Sequence, residues 1–100
     1  MLIFAIILNI EKEVLKVLLN EAIKIRINKL MEQKNTEKEQ YTRYKLSYDA
    51  GMNPSNLNDF YRDKITYPRI DTLYLICDAL NISLKDFFDD DIFKDVEIKD

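Results

Sequence analysis

Apolar residues recur at helical spacing along most of the chain. The first clear set predicts a helix that ends near Asn35. Its apolar positions are Ile23, Ile27, Leu30 and Met31. A weaker amphipathic pattern precedes it and can belong to the same helix. That pattern consists of Ile10, Val14, Val17 and Leu18. The polar stretch TEKEQ (36–40) then predicts either a longer loop or an extra helical turn.

Two short helices joined by a sharp turn come next. Leu46 and Ala50 lie four residues apart, so they share one face of a helix that begins near Thr42, a favoured N-cap residue. Gly51 ends this helix, because the only glycine in the chain adopts a left-handed backbone at little steric cost. Met52 is expected to point inward.

The second helix of this pair begins at Pro54. Asn53 is a strong N-cap residue, and a proline at the first helical position lacks only an N–H that would have no partner there. The apolar side of this helix is predicted to consist of Leu57, Phe60 and Tyr61. Its outward side is predicted to carry small polar groups, namely Ser55, Asn56, Asn58 and Asp59.

Two further helices complete the pattern. Pro68 fixes the entry to a fourth helix, and Asp71 lies in its first turn, where the helix dipole favours an acid. The apolar side of this helix consists of Leu73, Ile76, Cys77 and Leu80. Asn81 ends it, and Ser83 caps a fifth helix that carries Asp86 three residues on. The side chains expected to return to the core are Leu84, Phe87 and Phe88.

The order and spacing of these features resemble the phage-repressor-like (XRE-type) helix-turn-helix family, which includes the λ and 434 repressors and Cro. The resemblance rests on TRYKLSYDAGMNPSNLNDFYRDK (42–64), on Pro68 and on TLYLICDALNISLKDFF (72–88). It covers about residues 21–88 and implies an all-α, five-helix domain. An apolar extension (1–20), strand or helix, precedes this domain, and an acidic tail (89–100) follows it.

The resemblance implies sequence-specific binding of duplex DNA, with the helix 54–61 in the major groove and the helix from Thr42 crossing the backbone. Carried onto this chain, the base-contacting positions are Asn53, Pro54, Ser55, Asn58 and Asp59. The phosphate-contacting positions are Thr42, Arg43, Asn56, Lys64, Thr66 and Tyr67. Asparagine can bridge adenine, serine can serve several bases and aspartate can accept from cytosine, whereas proline offers only apolar contact. Capping alone can also explain Asn53 and Ser55.

Three residues depart from the family pattern. Arg43 stands where a glutamine is common. Asp63 replaces the usual glycine after the helix 54–61, here called the reading helix, and Arg69 replaces a small polar cap before the fourth helix. Aspartate tolerates a left-handed backbone better than most residues, so we expect the turn at Asp63 to survive. The base sequence that other members read does not transfer to this chain.

The resemblance further implies a cytoplasmic transcription regulator, a repressor, that binds a palindromic operator as a homodimer. The subunit contact is expected either in the apolar run MLIFAIIL (1–8) or in the fifth helix with DIF (91–93). The run is too short to span a bilayer, which takes about 20 apolar residues, and it lacks the features of a secretory signal. It can also be an extra strand or helix packed on the domain, or the result of a start codon set too early.

The charge of the chain is unevenly distributed. The net charge is −3, but residues 86–100 carry seven acids against two lysines, so residues 1–85 carry +2. The segment from Tyr41 to Ile70, which contains the helix predicted to read bases, also carries a net charge of +2, and its cations are Arg43, Lys45, Arg62, Lys64 and Arg69. Such a weakly basic surface predicts modest nonspecific affinity for DNA and some dependence on dimerisation, because phosphate neutralisation dominates binding strength.

The composition argues against several other classes of protein. The absence of histidine excludes Ser-His and Cys-His nucleophile pairs, and no glycine-rich loop is present to hold a phosphate. A single cysteine excludes an internal disulfide and, without histidine, nearly excludes a structural zinc site. We therefore expect no enzyme, no cofactor and no metal, and we expect Cys77 to be a core residue.

Two other interpretations stay open. One is an antitoxin-like interaction module, whose acidic tail or N-terminal segment binds a partner protein while DNA binding is secondary. The other is a repressor-like fold that has lost DNA binding, which the weakly basic surface would allow.

Overall fold

The computed structural model describes residues 16–98 and confirms the predicted five-helix, all-α fold. The helices are α1 (Leu19–Glu32), α2 (Arg43–Asp49), α3 (Pro54–Tyr61), α4 (Ile70–Ala79) and α5 (Leu84–Phe88). A 3-10 helix (Asp91–Phe93) follows, and two short strands, β1 (Val17–Leu18) and β2 (Val96–Glu97), complete the described chain. The predictions for the apolar run 1–8 lie outside the described residues.

All five helices contribute side chains to one hydrophobic core. Its most deeply buried members include Ile27, Leu46, Phe60, Ile76 and Phe87. Each of these occupies a position that the helical spacing of apolar residues had marked. Cys77 also lies in this core, where burial raises the pKa of its thiol to about 11. The prediction of Cys77 as a core residue is therefore confirmed.

Val17 and Leu18, the two residues directly before α1, are extended. β1 pairs in parallel with β2, with Val17 opposite Val96 and Leu18 opposite Glu97. The expectation that Val17 and Leu18 continue the first helix toward Ile10 is therefore wrong. The pairing with β2 requires an extended backbone, and the backbone angles of Leu18, φ −69° and ψ 145°, place the helix boundary there.

A buried arginine ties α1 to the C-terminal part of the chain. Arg26 Nε donates to the carbonyl oxygen of Phe87 at 2.8 Å, and Nη2 donates to that of Asp86 at 3.0 Å. Its Nη1 lies 3.3 Å from a carboxylate oxygen of Asp90, which also accepts from Lys29 Nζ at 3.0 Å. These bonds satisfy backbone carbonyls at the end of α5 and hold the start of the acidic tail (89–100) against α1.

The environment of Asp90 favours its charged form. The backbone N–H of Ile92 donates to its carboxylate, and Lys29 and Arg26 add their positive charges, so the pKa of Asp90 falls below its usual value. The ionised Asp90 side chain therefore stabilises the folded chain through its contacts with Ile92, Lys29 and Arg26.

The fifth helix returns one aromatic ring to the core. Phe87 is fully buried and Leu84 is half-buried, but Phe88 is 40% exposed, so the expectation that Phe88 enters the core is wrong. Neighbouring residues on a helix point about 100° apart, and both rings cannot face the same core. The Phe88 ring instead packs edge-on against Phe93, with the ring centroids 5.0 Å apart.

Candidate nucleic-acid interface

The first helix of the helix-turn-helix unit begins as predicted. The Thr42 hydroxyl oxygen accepts a hydrogen bond from the Lys45 backbone N–H at 3.2 Å, which caps α2. Leu46 and Ser47 are buried, and the Ser47 hydroxyl is satisfied there by donating to the carbonyl oxygen of Arg43 at 3.0 Å. The helix is thus anchored by one face and exposes Arg43 at its first residue.

The turn between α2 and α3 is a Schellman motif. The Met52 N–H donates to the Ser47 carbonyl at 3.0 Å, and the Gly51 N–H donates to that of Tyr48 at 3.1 Å. Gly51 has a φ of +67°, the left-handed conformation that its sequence position predicted. Met52 is half-buried and packs against the core. The turn therefore reverses the chain within a few residues and starts α3 at a fixed angle.

The second helix exposes a narrow polar surface. Asn53 caps it, since its side-chain oxygen accepts from the Ser55 N–H at 3.1 Å, and Pro54 occupies the first turn. Leu57 and Phe60 are almost fully buried. At 100° per residue, Ser55 lies on the side of α3 opposite to that pair, and it is exposed. Ser55 is therefore the outermost residue in the middle of this surface.

Two clefts flank α3, and seven of the eleven predicted DNA-contacting residues line one or the other. A cleft of about 270 Å³ on one side brings together Thr42 and Arg43 of α2 with Pro54 and Asn58 of α3. A cleft of about 330 Å³ is lined by three more of the predicted residues, Asn56, Asp59 and Tyr67. The remaining four, Asn53, Ser55, Lys64 and Thr66, are exposed and line neither of these clefts.

The loop after α3 adopts the predicted left-handed turn. Asp63 has a φ of +61°, and its carboxylate accepts a hydrogen bond from Lys24 Nζ of α1 at 2.6 Å. The backbone N–H of Lys64 donates to the Asp59 carbonyl at 2.9 Å, which holds the loop against the end of α3. The loop thus has a defined shape at the place where phosphate contacts are predicted.

Lys24 is a buried cation of this region that the sequence pattern did not reveal. Burial opposes its charged form, but its hydrogen bonds and electrostatic attraction to Asp63 and Glu21 outweigh that effect and raise the pKa of Lys24. The burial of Lys24 could have been predicted from its position three residues before the core residue Ile27, because residues at that spacing share a helical face.

The cations around α3 differ in whether a carboxylate of the same chain already pairs with them. Lys45 pairs with Glu39, and Arg69 pairs with Asp71 at 3.0 Å. Within the described part of the chain, Arg43, Arg62 and Lys64 form no ion pair with a carboxylate. The guanidinium of Arg43 instead lies over the ring of Tyr61, 4.6 Å from its centroid. Three exposed cations are thus free to meet an anionic partner.

Other kinds of site find little support between residues 16 and 98. No group of three or more candidate metal-binding side chains occurs in that range. Its helices are all too short or too polar to cross a lipid bilayer.

One of three comparisons with known proteins finds a match. The comparisons with curated proteins and with solved structures give no match. A family model described as the Cro/C1-type HTH DNA-binding domain matches residues 26–91, which include α2, the turn and α3. The chain therefore belongs to the Cro/C1-type HTH DNA-binding domain family.

Proposed function

We propose that the protein is a repressor that binds a palindromic DNA operator as a homodimer and reads base sequence in the major groove with α3. One observation carries the proposal. The exposed side of α3 presents Ser55 at its centre, Asn58 on one flank and Asp59 on the other, while the opposite side is buried in the core. The major groove is wide enough to admit an α-helix, and a helix buried on one side and polar on the other can turn its polar side chains toward the base edges there.

The side chains on that surface suit base edges. The Asn58 amide can bridge N6 and N7 of adenine, the Ser55 hydroxyl can serve several bases, and the Asp59 carboxylate can accept from N4 of cytosine. Pro54 offers only apolar contact, for example to a thymine methyl group. The Asn53 side chain already caps α3, so its base contact would have to use the amide hydrogens that the cap leaves free.

Phosphate contacts would fix the position of α3 in the groove. Thr42 and Arg43 lie at the start of α2, while Lys64, Thr66 and Tyr67 follow α3, and Asn56 completes the set. These residues lie on both sides of the reading helix, as contacts to the two walls of a groove require. Three exposed cations per protomer make a modest electrostatic contribution, so two protomers on one duplex would bind far more tightly than one.

Dimer formation also explains why the operator is expected to be palindromic, since two-fold symmetry of the protein selects two-fold symmetry of the DNA. Within residues 16–98, apolar side chains that could contribute to such a contact are exposed on α4 (Ile70 and Tyr74) and on α5 (Phe88). Repression would follow from occupation of a promoter by the bound dimer, which needs no surface beyond those for DNA binding and for the dimer contact. We place this activity in the cytoplasm.

The structure gives less support to an antitoxin-like interaction module. That alternative requires the acidic tail or the N-terminal segment to be available to a partner protein. In the tail, Asp90 is paired with Arg26 and Lys29 and Phe93 packs against the core, while the other described acids of the tail are exposed. Residues 1–15 of the N-terminal segment lie outside the described residues. We favour DNA over a protein as the principal partner because the chain matches a family of DNA-binding domains.

The proposal is tested by titrating the protein into two labelled duplexes and following fluorescence anisotropy. One duplex is a sequence that the protein selects from a random library, and the other has the same composition in scrambled order. We expect the selected duplex to bind at least about 1,000-fold more tightly at physiological salt, the lower end for specific over nonspecific binding. Equal affinity for the two duplexes would contradict sequence-specific binding.

A further inference from the structure

Tyr61, the last residue of α3, joins three helices behind the proposed reading surface. Its hydroxyl donates to the side-chain oxygen of Asn28 on α1 at 2.7 Å. The guanidinium of Arg43, the first residue of α2, lies over the face of the Tyr61 ring at 4.6 Å from its centroid. The ring also packs edge-on against Phe60 in the core, at 6.0 Å between centroids. The ring is therefore held on its core side while one face supports a cation.

The phenol of Tyr61 is protonated at neutral pH. Burial raises its pKa to about 12, against the positive charge of Arg43, which lowers it. The hydroxyl therefore remains a donor to Asn28, and this bond adds to the core packing that already orients the ring.

Stacking leaves the hydrogen-bonding edge of Arg43 available. A guanidinium contacts an aromatic ring with its flat face, while its N–H groups point outward in its own plane. Arg43 is exposed and has no carboxylate partner among the described residues. It also lines the same cleft as Pro54 and Asn58 of the reading helix. A phosphate reached by Arg43 would therefore lie next to bases reached by α3.

We infer that Tyr61 is a positioning residue, which holds the Arg43 guanidinium ready for a DNA phosphate and thereby sets the register of α3 in the groove. The inference rests on the proposed DNA binding. It gives Tyr61 a role in affinity without any contact of its own with DNA. Because the contact already exists in the free protein, it acts by preorganising Arg43, and this contributes at most the strength of an exposed cation–aromatic contact, about twofold to fivefold in affinity for each protomer.

The stacking itself is tested on the free protein by NMR. Ring currents from Tyr61 should move the side-chain Nε–H and Cδ–H resonances of Arg43 upfield from those of the exposed Arg62. Tyr61→Leu should abolish this shift, and Tyr61→Phe should retain it. An Arg43 resonance that does not respond to Tyr61→Leu would overturn the inference.

The role in binding is tested by a double-mutant cycle on the selected duplex, with folding of each variant checked by its thermal transition. Tyr61→Leu should weaken binding about fivefold or more for a dimer in the wild-type background, but less than twofold when Arg43 is already alanine. Tyr61→Phe should stay close to wild type. Effects of Tyr61→Leu and Arg43→Ala that multiply would show that Tyr61 does not act through Arg43, and would overturn the inference.

Arg43→Lys provides a test that leaves the core untouched should Tyr61→Leu fail to fold. Lysine keeps the charge but cannot stack as a planar group, so affinity should fall while the salt dependence stays that of wild type. Full affinity of Arg43→Lys would contradict positioning by the ring. Failure of the wild-type protein to prefer the selected duplex would refute the proposed function instead. The NMR experiment would still show whether Tyr61 holds Arg43 in the free protein, because it does not involve DNA.

Discussion

Individual side chains of α3 decide what the helix can do. Leu57 and Phe60 fix it in the core, Ser55 lies on the opposite side, and Asn58 and Asp59 lie between those two sides. No cation occurs between Pro54 and Tyr61, so the charges proposed to attract DNA belong to residues next to the helix. The proposed function thus assigns base recognition and phosphate attraction to different residues, which makes the two separable by mutation.

Replacing Arg43 should affect all DNA sequences alike. We expect Arg43→Ala to weaken binding to selected and scrambled duplexes in parallel, and to reduce the slope of log K against log salt concentration by about 1 for each bound protomer. The measurement is a series of anisotropy titrations from low to physiological salt. Lys85→Ala, which removes an exposed charge from α5, is the matched control and should leave the slope unchanged. Loss of preference at a single base pair in Arg43→Ala would contradict a phosphate contact.

The sequence identifies most of the local features of this surface. Thr42, Gly51 and Asn53 have the cap and turn roles expected of them, because each role depends on backbone atoms within three residues. The stack of Arg43 on Tyr61 was not predicted, because it joins the start of one helix to the end of the next. A tyrosine on an apolar face predicts burial but does not reveal what its ring and hydroxyl contact.

At the level of helices, the angle between α2 and α3 depends on the turn at Gly51. A Cβ added at this residue would meet no atom within 4 Å, so a side chain there is opposed only by the positive φ. We expect Gly51→Ala to lower the free energy of unfolding by about 1–2 kcal/mol, the cost of a left-handed backbone for a residue with a Cβ. Urea denaturation followed by circular dichroism measures this difference.

Gly51→Asn is the matched control for that prediction. Asparagine visits the left-handed region more readily than alanine, so this variant should lose less stability. Equal stability of wild type and Gly51→Ala would show that the turn does not require the left-handed conformation.

The ion pairs of Asp90, in the acidic tail, with Arg26 and Lys29 of α1 give the folded chain stability that depends on pH. The pKa of Asp90 is lowered in the folded chain, so its contribution is complete above the ordinary aspartate pKa of about 4 and is lost as the pH falls through the lower folded value. Asp90→Asn should therefore be less stable than wild type at pH 7, by about 1 kcal/mol or less. The difference should shrink below a pH of about 4.

Urea unfolding at several pH values measures the effect. Asparagine can still accept the backbone hydrogen bond from Ile92, so the comparison reports the ion pairs with Arg26 and Lys29. Asp91→Asn is the control, because the Asp91 side chain is 91% exposed and its pairing with Lys94 should contribute little. A deficit in Asp90→Asn that persists undiminished at pH 2.5 would contradict this account.

These tertiary contacts were the least predictable part of the fold. Arg26 lies four residues from both Ala22 and Leu30, which are buried, so its place on the core face could be found from helical spacing. Its partners, the carbonyls of residues 86 and 87, could not be found in that way. The pairing of β1 with β2 was equally hidden, because two residues are too few to show the alternation typical of a strand.

For the whole molecule, the weak positive charge around α3 makes assembly important. The family and the fold establish a DNA-binding domain, but a single protomer offers only a few cations to the phosphate backbone. In the proposed homodimer, two linked protomers would share one duplex, so the second contact would form at a high effective concentration. We therefore expect affinity for a full operator to exceed that for a half-site by several orders of magnitude.

Deletion of residues 2–8 tests one candidate for the subunit contact. Seven consecutive apolar residues favour contact with another surface over exposure to water. We expect the shortened chain to fold but to self-associate more weakly, as measured by sedimentation equilibrium across a range of concentrations. An unchanged average mass would reject this segment as the interface and leave the exposed side chains of α4 and α5 as candidates.

The most direct test of base reading by α3 is selection of bound duplexes from a random library, performed with the wild-type protein and with Ser55→Ala. Ser55 is exposed at the centre of the proposed reading surface, and its backbone N–H, which the cap uses, is retained in alanine. We predict that the wild type enriches a two-fold symmetric motif and that Ser55→Ala loses preference at one base pair of each half-site. An identical motif for both proteins, or no motif for the wild type, would contradict major-groove reading centred on Ser55.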